Sequence, residues 1–495
     1  MRCVVLGATG YLGTRLIFEL LSEGHDVRVL ARNPAKLNDV GWREQVDVVQ
    51  GDVSDADAVQ QALDGQHVLY YLVHSLMRPD FVDFDAQAAR IVADAAAAAR
   101  LSRIVYVGGI TAEQQELSDH LSSRAHVGRL LSESGVPTVE LRAAAIIGAG
   151  SASFEMLRYL TERLPLMITP RWLRTRVQPI AIRDVLYYLA HAASLPPEVN
   201  RAFDIGGPDV FTYTGMIRKF AAVAGLQRRI ALPVPVLSPW LSAQWVHLVT
   251  PLPRRLAVSL MESLKNDVTC AEHDIARYIG DPPGGLTHYE DAVELALTHL
   301  RNEELRTRWA RSDGDDAPSR PLPTDPDWAG GSLYEGKREL RTSADAATLW
   351  QVIESVGADH GWSASPLAWS LRGWIAQLAS KAGIRRAARD THGLHHGEAL
   401  DWWRVEHIDA PHLLRLRADL PLPGRLWLEM SVQPGDRVAY RQRVLFQPYG
   451  LGGQLFWNSL RPLHDAIFGG IARDIATAAS RSGMPVAPVA DESGS

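Results

Sequence analysis

Three glycines near the start of the chain have the spacing of a phosphate cradle. In CVVLGATGYLGTRLIFELL an apolar run ends at Leu6, Gly7, Gly10 and Gly13 follow, and helical spacing begins at once. Each glycine has its own task. Gly7 permits a tight turn, Gly10 lets backbone approach a diphosphate, and Gly13 lets the helix lie close to the strand. The helix start adds free N–H groups and the positive end of a dipole. Gly7, Thr9, Gly10, Tyr11, Leu12 and Gly13 are therefore the candidate binders of a dinucleotide. An ordinary turn can carry the same glycines, but the strand before and the helix behind favour the cradle.

A second strand ends in VRVLARNPAKL. Proteins that select NAD place an acid here for the ribose 2′-hydroxyl, whereas this chain has Ala31-Arg32. A guanidinium can pair with a 2′-phosphate, and Lys36 could assist, so NADP is expected over NAD. The plainer alternative makes Arg32 a solvated loop residue. His392, His395 and His396 form the densest histidine cluster. The interleaved Gly393 and Gly397 suggest a loop rather than a helix face, so no metal is expected. No Gly-x-Ser-x-Gly elbow or Walker loop occurs, which removes the usual hydrolase and nucleotide-triphosphatase signatures.

The elements that must position these residues alternate. Strands are expected at Cys3–Leu6, Asp26–Ala31, Val46–Gln50, His67–Val73, Ile104–Val107 and Thr138–Ile147. Helical spacing occupies Leu12–Ser22, Ala56–Leu63, Phe84–Ala99 and Leu121–Ser134. Such alternation predicts an α/β fold: a doubly wound parallel sheet with helices on both faces. The slim Ala95–Ala99 run suits close packing on that sheet. A smaller substrate subdomain is expected over about 151–301, with helices at Ser153–Arg163, Arg183–Ala193 and Thr214–Ala224. Residues 302–332 are rich in Asp, Pro, Arg and Gly and read as a linker. Beyond it, nine of the 14 tryptophans fall between Trp328 and Trp457, and period-2 runs predict an antiparallel sheet. A closing helix follows Pro462, giving a second domain over 333–482 and a disordered tail over 483–495.

With 495 residues, the chain is long enough for two to four domains. Its net charge of −6 gives no electrostatic reason to expect nucleic acid as a partner. Two cysteines, Cys3 and Cys270, are too few for a disulfide framework. Met1-Arg2 runs straight into a strand pattern without room for a signal peptide, so a cytoplasmic protein is expected. Ile230–Pro253 carries no charged residue, yet five prolines crowd its two ends. A buried or pocket-lining segment is favoured there over a peripheral membrane dock.

GATGYLG, ARNPAKL and GDVSD (Gly51–Asp55) together resemble atypical extended short-chain dehydrogenase/reductases of the NmrA-like kind. IAIRDV (Ile180–Val185) and the stretch Phe203–Gly225 resemble later landmarks of that group. The resemblance covers about residues 1–301 and implies an NAD(P)-binding Rossmann fold. It further implies that Asp52 and Val53 lie near the adenine, and that Leu72, Val73 and His74 pass the nicotinamide side. Active members of that group use Tyr-x-x-x-Lys with a serine at the preceding strand end. Here those places hold His120, Arg124 and Val107-Gly108-Gly109.

Three readings of the change stay open. Arg124 could bind ribose while its charge keeps His120 at or below its titration midpoint, ready to act as general acid. The loop could instead bind NADP(H) without reduction, as NmrA-like redox sensors imply. The pair could also be a polar helix face.

Residues 333–482 resemble a START or polyketide-cyclase-like helix-grip domain, through RVEHIDAPHLLRLRADLPLPGRLWLEM and FQPYGLGGQLFWNSLRPLHDAIF. That resemblance implies an apolar cavity, which Trp402, Trp403, Trp427, Phe446, Phe456 and Trp457 could line or simply fill. The function expected from the whole is NADPH-dependent reduction of a hydrophobic carbonyl or enone compound, with a small apolar substrate or ligand as partner. The alternative is a non-catalytic NADP(H)-responsive binding protein.

Overall fold

A computed structural model of the chain describes residues 1–38, 40–111, 117–170, 174–234, 246, 249–305, 324–326, 328, 334–356, 394–400, 402–433, 438–448 and 450–482. The chain divides into two compact units, Met1–Gly331 and Ser332–Ser495.

The first unit opens with β1 (Arg2–Leu6), α1 (Tyr11–Ser22), β2 (Asp26–Ala31), β3 (Asp47–Gln50), α2 (Ala56–Leu63) and β4 (Val68–Tyr71). It continues through α3 (Phe81–Ala98), β5 (Arg103–Gly109), α4 (Asp119–Ser132), β6 (Thr138–Ala143) and β7 (Ile146–Ile147). Next come α5 (Ala152–Arg163), β8 (Leu166–Pro170), β9 (Arg176–Val177), β10 (Ile180–Ala181), α6 (Ile182–Ala192) and β11 (Arg201–Ile205). The unit's remaining elements are β12 (Phe211–Thr212), α7 (Tyr213–Val223), β13 (Ile230–Val234), α8 (Arg254–Ser263) and α9 (Tyr289–Leu305).

Seven of these strands form one sheet in the order β11-β6-β5-β4-β1-β2-β3, every neighbouring pair parallel. Alternation along β1 explains why both faces must be covered. Cys3 and Val5 join one apolar cluster with Leu16, Ile17 and Leu189, while Val4 and Leu6 join another with Val59, Val92 and Ala96. Side chains of period two buried on both sides are what a parallel sheet between two helical layers requires. The alternating elements are thus an α/β doubly wound sheet.

The strand expected over His67–Val73 ends at Tyr71, that over Ile104–Val107 extends to Gly109, and the last one divides. The run Thr138–Ile147 is two strands, because β6 stays with β11 as far as Ala143 and the chain then turns. Ile146 and Ile147 pair with β10 in a separate two-stranded sheet. Two further small pairs, β8 with β13 and β9 with β12, complete the region beyond residue 150.

The linker expected over 302–332 also needs correction. Thr324–Pro326 and Trp328 belong to the first unit. Asp325 forms an ion pair with Arg15 at 2.7 Å, the side chains being 4% and 2% exposed. Thr324 shares a 2.9 Å hydrogen bond with Thr14, and the Trp328 carbonyl accepts one from Tyr159. A segment of Asp, Pro and Arg looks solvated by composition. Composition cannot reveal that one aspartate meets a buried guanidinium.

Within Ile230–Pro253, Val246, Val249 and Leu252 are buried, whereas Ile230 and Leu232 are about half exposed. Residues 235–245 and 247–248 lie outside the described residues. Among the described residues, no helix is long and apolar enough to cross a membrane.

The second unit contains β14 (Tyr334–Arg341), α10 (Ala346–Glu354), β15 (Ala399–Leu400), β16 (Trp403–Asp409), β17 (Leu413–Ala418), β18 (Gly424–Gln433), β19 (Ala439–Pro448), α11 (Gly450–Ser459) and α12 (Arg461–Ser482). Its six strands are antiparallel in the order β14-β19-β18-β17-β16-β15. Trp403, Trp427, Phe446 and Trp457 are buried, and Phe446 and Trp457 stack at 4.6 Å between ring centroids. Of the histidine cluster, His392 lies outside the described residues, and His395 sits in a turn closed by the Glu398 N–H. Among the described residues, no three His, Cys, Asp or Glu gather as a metal site.

Candidate functional site

The glycine loop has the shape of a cradle. Gly7 adopts φ +97°, and a Cβ there would stand 2.6 Å from the Leu72 carbonyl oxygen. A Cβ at Gly13 would run into the Gly7 carbonyl. The N-cap of α1 is Gly10, which has no side chain to cap with, and no acid stands in the first turn. The first N–H groups of α1 therefore remain available to an anion. The Tyr11 hydroxyl is buried without a hydrogen-bond partner among the described residues, and burial pushes its pKa up. Uncapped amides and absent side chains suit a diphosphate, while the Tyr11 hydroxyl lies away from the amides, beside Gly148 and Ile182.

From this loop a cavity of about 1180 Å³ opens across the carboxyl ends of the sheet. Leu76, Met156, Leu160, Val246, Leu256 and Met261 give its wall an aliphatic character. Two histidines also line it. His74 follows β4, His120 stands in the first turn of α4, and their rings stack at 5.1 Å with 23° between planes. His74 Nδ1 lies 3.5 Å from the Asp85 carboxylate of α3, whose other oxygen accepts from Ser75. His120 Nδ1 lies 3.0 Å from the Ser263 hydroxyl at the end of α8. Ser263 is 3.2 Å from the hydroxyl of Ser118, the N-cap of α4, and 2.9 Å from the Ser259 carbonyl, so its one proton can go either to that carbonyl or to His120.

Burial, then the charges of His74 and Arg124, hold His120 well below its usual 6.5. His74 is lowered as well, by burial and then by Arg124, against the opposing pull of Asp85. Two facing imidazoles beside a guanidinium disfavour charge on each other. Both rings are thereby biased toward the neutral form.

Residues 7–146 match the protein family described as NAD(P)H-binding. The N-terminal unit is an NAD(P)-binding Rossmann domain. The chain is 23% identical over 304 residues to the photosystem II assembly factor Ycf39 of Trieres chinensis, covering 59% of this chain and 91% of that protein. It is 29% identical over 238 residues to the ceramide reductase of Caulobacter vibrioides, covering 47% of this chain and 73% of the relative. A (4-alkanoyl-5-oxo-2,5-dihydrofuran-3-yl)methyl phosphate reductase of Streptomyces griseus subsp. griseus is 28% identical over 229 residues, 45% of this chain and 73% of its own. Residues 328–471 match a family described as a protein of unknown function, DUF2867.

The remaining candidates take definite places in this Rossmann domain. Arg32 is 76% exposed at the end of β2, with its guanidinium 3.7 Å from Asp52. Lys36 is exposed in the short turn that follows. Asp52 accepts from the N–H and hydroxyl of Ser54, and Val53 packs beside it on the apolar cluster. Leu72 receives the chain from β4 through its N–H to Leu6, and Val73 follows. Arg124 is buried. Its guanidinium donates to the carbonyls of Val73 and Val107 and lies 4.8 Å over the Tyr106 ring. It thus ties the ends of β4 and β5 together.

Reading the sequence did not reach Asp85, Ser118, Ser263, or the pairing of His74 with His120. Ser118 carries a local signal, an N-cap serine two residues before His120. Ser263 carries none, since 143 residues separate it from its partner.

Proposed function

We propose that this chain is an NADPH-dependent reductase of a hydrophobic carbonyl or enone compound. One observation carries the reading: a single aliphatic cavity reaches from the glycine loop to the stacked pair His74 and His120. When bound, NADPH supplies a hydride to the substrate carbon. The uncapped first turn of α1, with Thr9 to Gly13, would hold the diphosphate. Arg32, aided by Lys36, would take the 2′-phosphate. Asp52 and Val53 would border the adenine, and Leu72, Val73 and His74 the nicotinamide side. Arg124, with two backbone carbonyls already engaged, keeps further N–H donors for ribose hydroxyls. The aliphatic wall would accept the apolar body of the substrate and keep water from the reacting carbon.

The substrate oxygen also needs a proton, and we assign its delivery to His120 Nε2. With the Ser263 proton turned from the Ser259 carbonyl to His120 Nδ1, the neutral ring carries its own proton on Nε2. As the substrate oxygen takes that proton, Nδ1 takes the Ser263 proton and Ser263 takes that of Ser118. Ser118 is partly exposed and recovers its proton from water. The ring passes through without holding net charge, which suits its burial. Arg124 is the positioning group: it fixes the strand ends and disfavours imidazolium.

The two reductases among the relatives support reduction as the reaction class. We read the second unit as a helix-grip domain, supported by its strand order, in which the first strand pairs with the last, and by the long α12. Steady NADPH consumption across a panel of apolar ketones and enones, collapsing in His120→Ala, is the expected result. Tight NADPH binding with no turnover for any panel member, unchanged in that variant, would instead favour a cofactor-sensing protein.

A further inference from the structure

We propose that the rim of the cavity docks on an anionic lipid bilayer, which delivers the apolar ligand directly. The proposal rests on reading the cavity as an apolar-substrate site, and it names where that substrate comes from. Met77 and Leu166 both line the cavity, yet are 53% and 52% exposed. Half of each side chain is open to solvent or to the cavity. Leu166 opens β8 and lies opposite Ile230 in β13, with Leu232 two residues on along the same face. Ile230 is 55% exposed and Leu232 49%. Single exposed aliphatic residues are ordinary on a protein surface. Two in the lining of an aliphatic cavity, with Ile230 and Leu232 continuing from Leu166 along β13, make an exposed apolar surface beside it that needs an occupant.

Charge decides which occupant. The chain as a whole is acidic, at −6. Residues 163–183, which contain β8, nevertheless hold five arginines and neither Asp nor Glu. Residues 210–261, which contain β13 and most of α8, hold five arginines and a lysine, again without an acid. Two paired strands thus come from the two acid-free stretches. Arg174, Arg228, Arg254 and Arg255 are exposed, and Arg255 donates to the Met77 carbonyl at 3.2 Å, fixing a cation at the rim. Asp80, three residues from Met77, is engaged by Arg78 at 2.9 and 3.0 Å, while Arg176, Arg183 and Lys219 of these stretches pair with Asp267, Asp184 and Glu290. An apolar patch flanked by cations fits the headgroup boundary of an anionic membrane, where leucine and isoleucine enter and arginine meets phosphate. Among the described residues no helix can span a bilayer, so attachment is peripheral.

The test is sedimentation of the full chain with vesicles of phosphatidylcholine and phosphatidylglycerol, at low and high salt. The protein should pellet with the anionic vesicles and release as salt rises. Arg254→Gln with Arg255→Gln should weaken partitioning by about fivefold per arginine. Ile230→Asp with Leu232→Asp should abolish it while leaving NADPH affinity intact, which shows that the variant is folded. The proposal is overturned if the parent stays in the supernatant at low salt. It is equally overturned if the parent pellets as well with pure phosphatidylcholine, or if the folded aspartate variant pellets like the parent. Turnover of a short water-soluble ketone without vesicles is measured in parallel. Its failure bears on the reductase reading and leaves the docking result untouched.

Discussion

His74 and His120 stack ring on ring at 5.1 Å in the wall of one cavity, and each has its Nδ1 turned to a different partner. Asp85 lies against the first and Ser263 against the second. The pairing makes the site sensitive to protons in a defined direction.

Both imidazoles are held below the ordinary 6.5 in the folded chain. As pH falls below that value, the unfolded chain binds protons that the folded chain refuses. Their contribution to stability is therefore complete above pH 6.5 and is lost progressively as pH drops toward the folded values. The melting temperature of the parent should fall across this window more steeply than that of His120→Asn. Parallel curves would show that His120 is not held neutral.

Ser263→Ala removes the hydroxyl that orients His120 and refills its Nδ1. We expect kcat to fall about tenfold, and by a factor of about 10² to 10⁴ in His120→Ala, with NADPH affinity unchanged in both. Ser263→Thr keeps a hydroxyl and should recover part of the rate. Steady-state kinetics with separate calorimetry for the cofactor reads both quantities.

Arg32→Ala should weaken NADPH by about tenfold, since the lost contact is a charge-assisted hydrogen bond at an exposed position. NADH should be nearly indifferent to the change. Equal weakening of the two coenzymes would remove Arg32 from the phosphate site.

The pair Arg15 and Asp325 ties Thr324–Pro326 to the first helix of the cofactor site. Asp325→Ala removes a 2.7 Å ion-pair carboxylate from a buried guanidinium and should cost about 3 kcal/mol of stability. Replacing both, as Arg15→Met with Asp325→Leu, should recover most of it, because an apolar pair avoids the desolvation of two charges. Urea denaturation of the four forms closes the cycle.

The parallel sheet was legible in the chain because its cause is local. Alternation in β1 and β2, the alanines of α3 and the three glycines each state their own geometry within a few residues. The exposed Arg32 was legible for the same reason, as a missing acid at a strand end. The proton path was not. His120 was found by its spacing, yet its lowered pKa comes from burial and then from His74 and Arg124 packed beside it, and its orientation from Ser263 in a helix 143 residues away. The basic, apolar rim likewise exists only because β8 and β13 pair. Local sequence set which elements form and where a diphosphate can rest. Only the folded chain decided which side chains share a low-dielectric wall, and burial together with neighbouring charge, neither of them local, fixes their protonation.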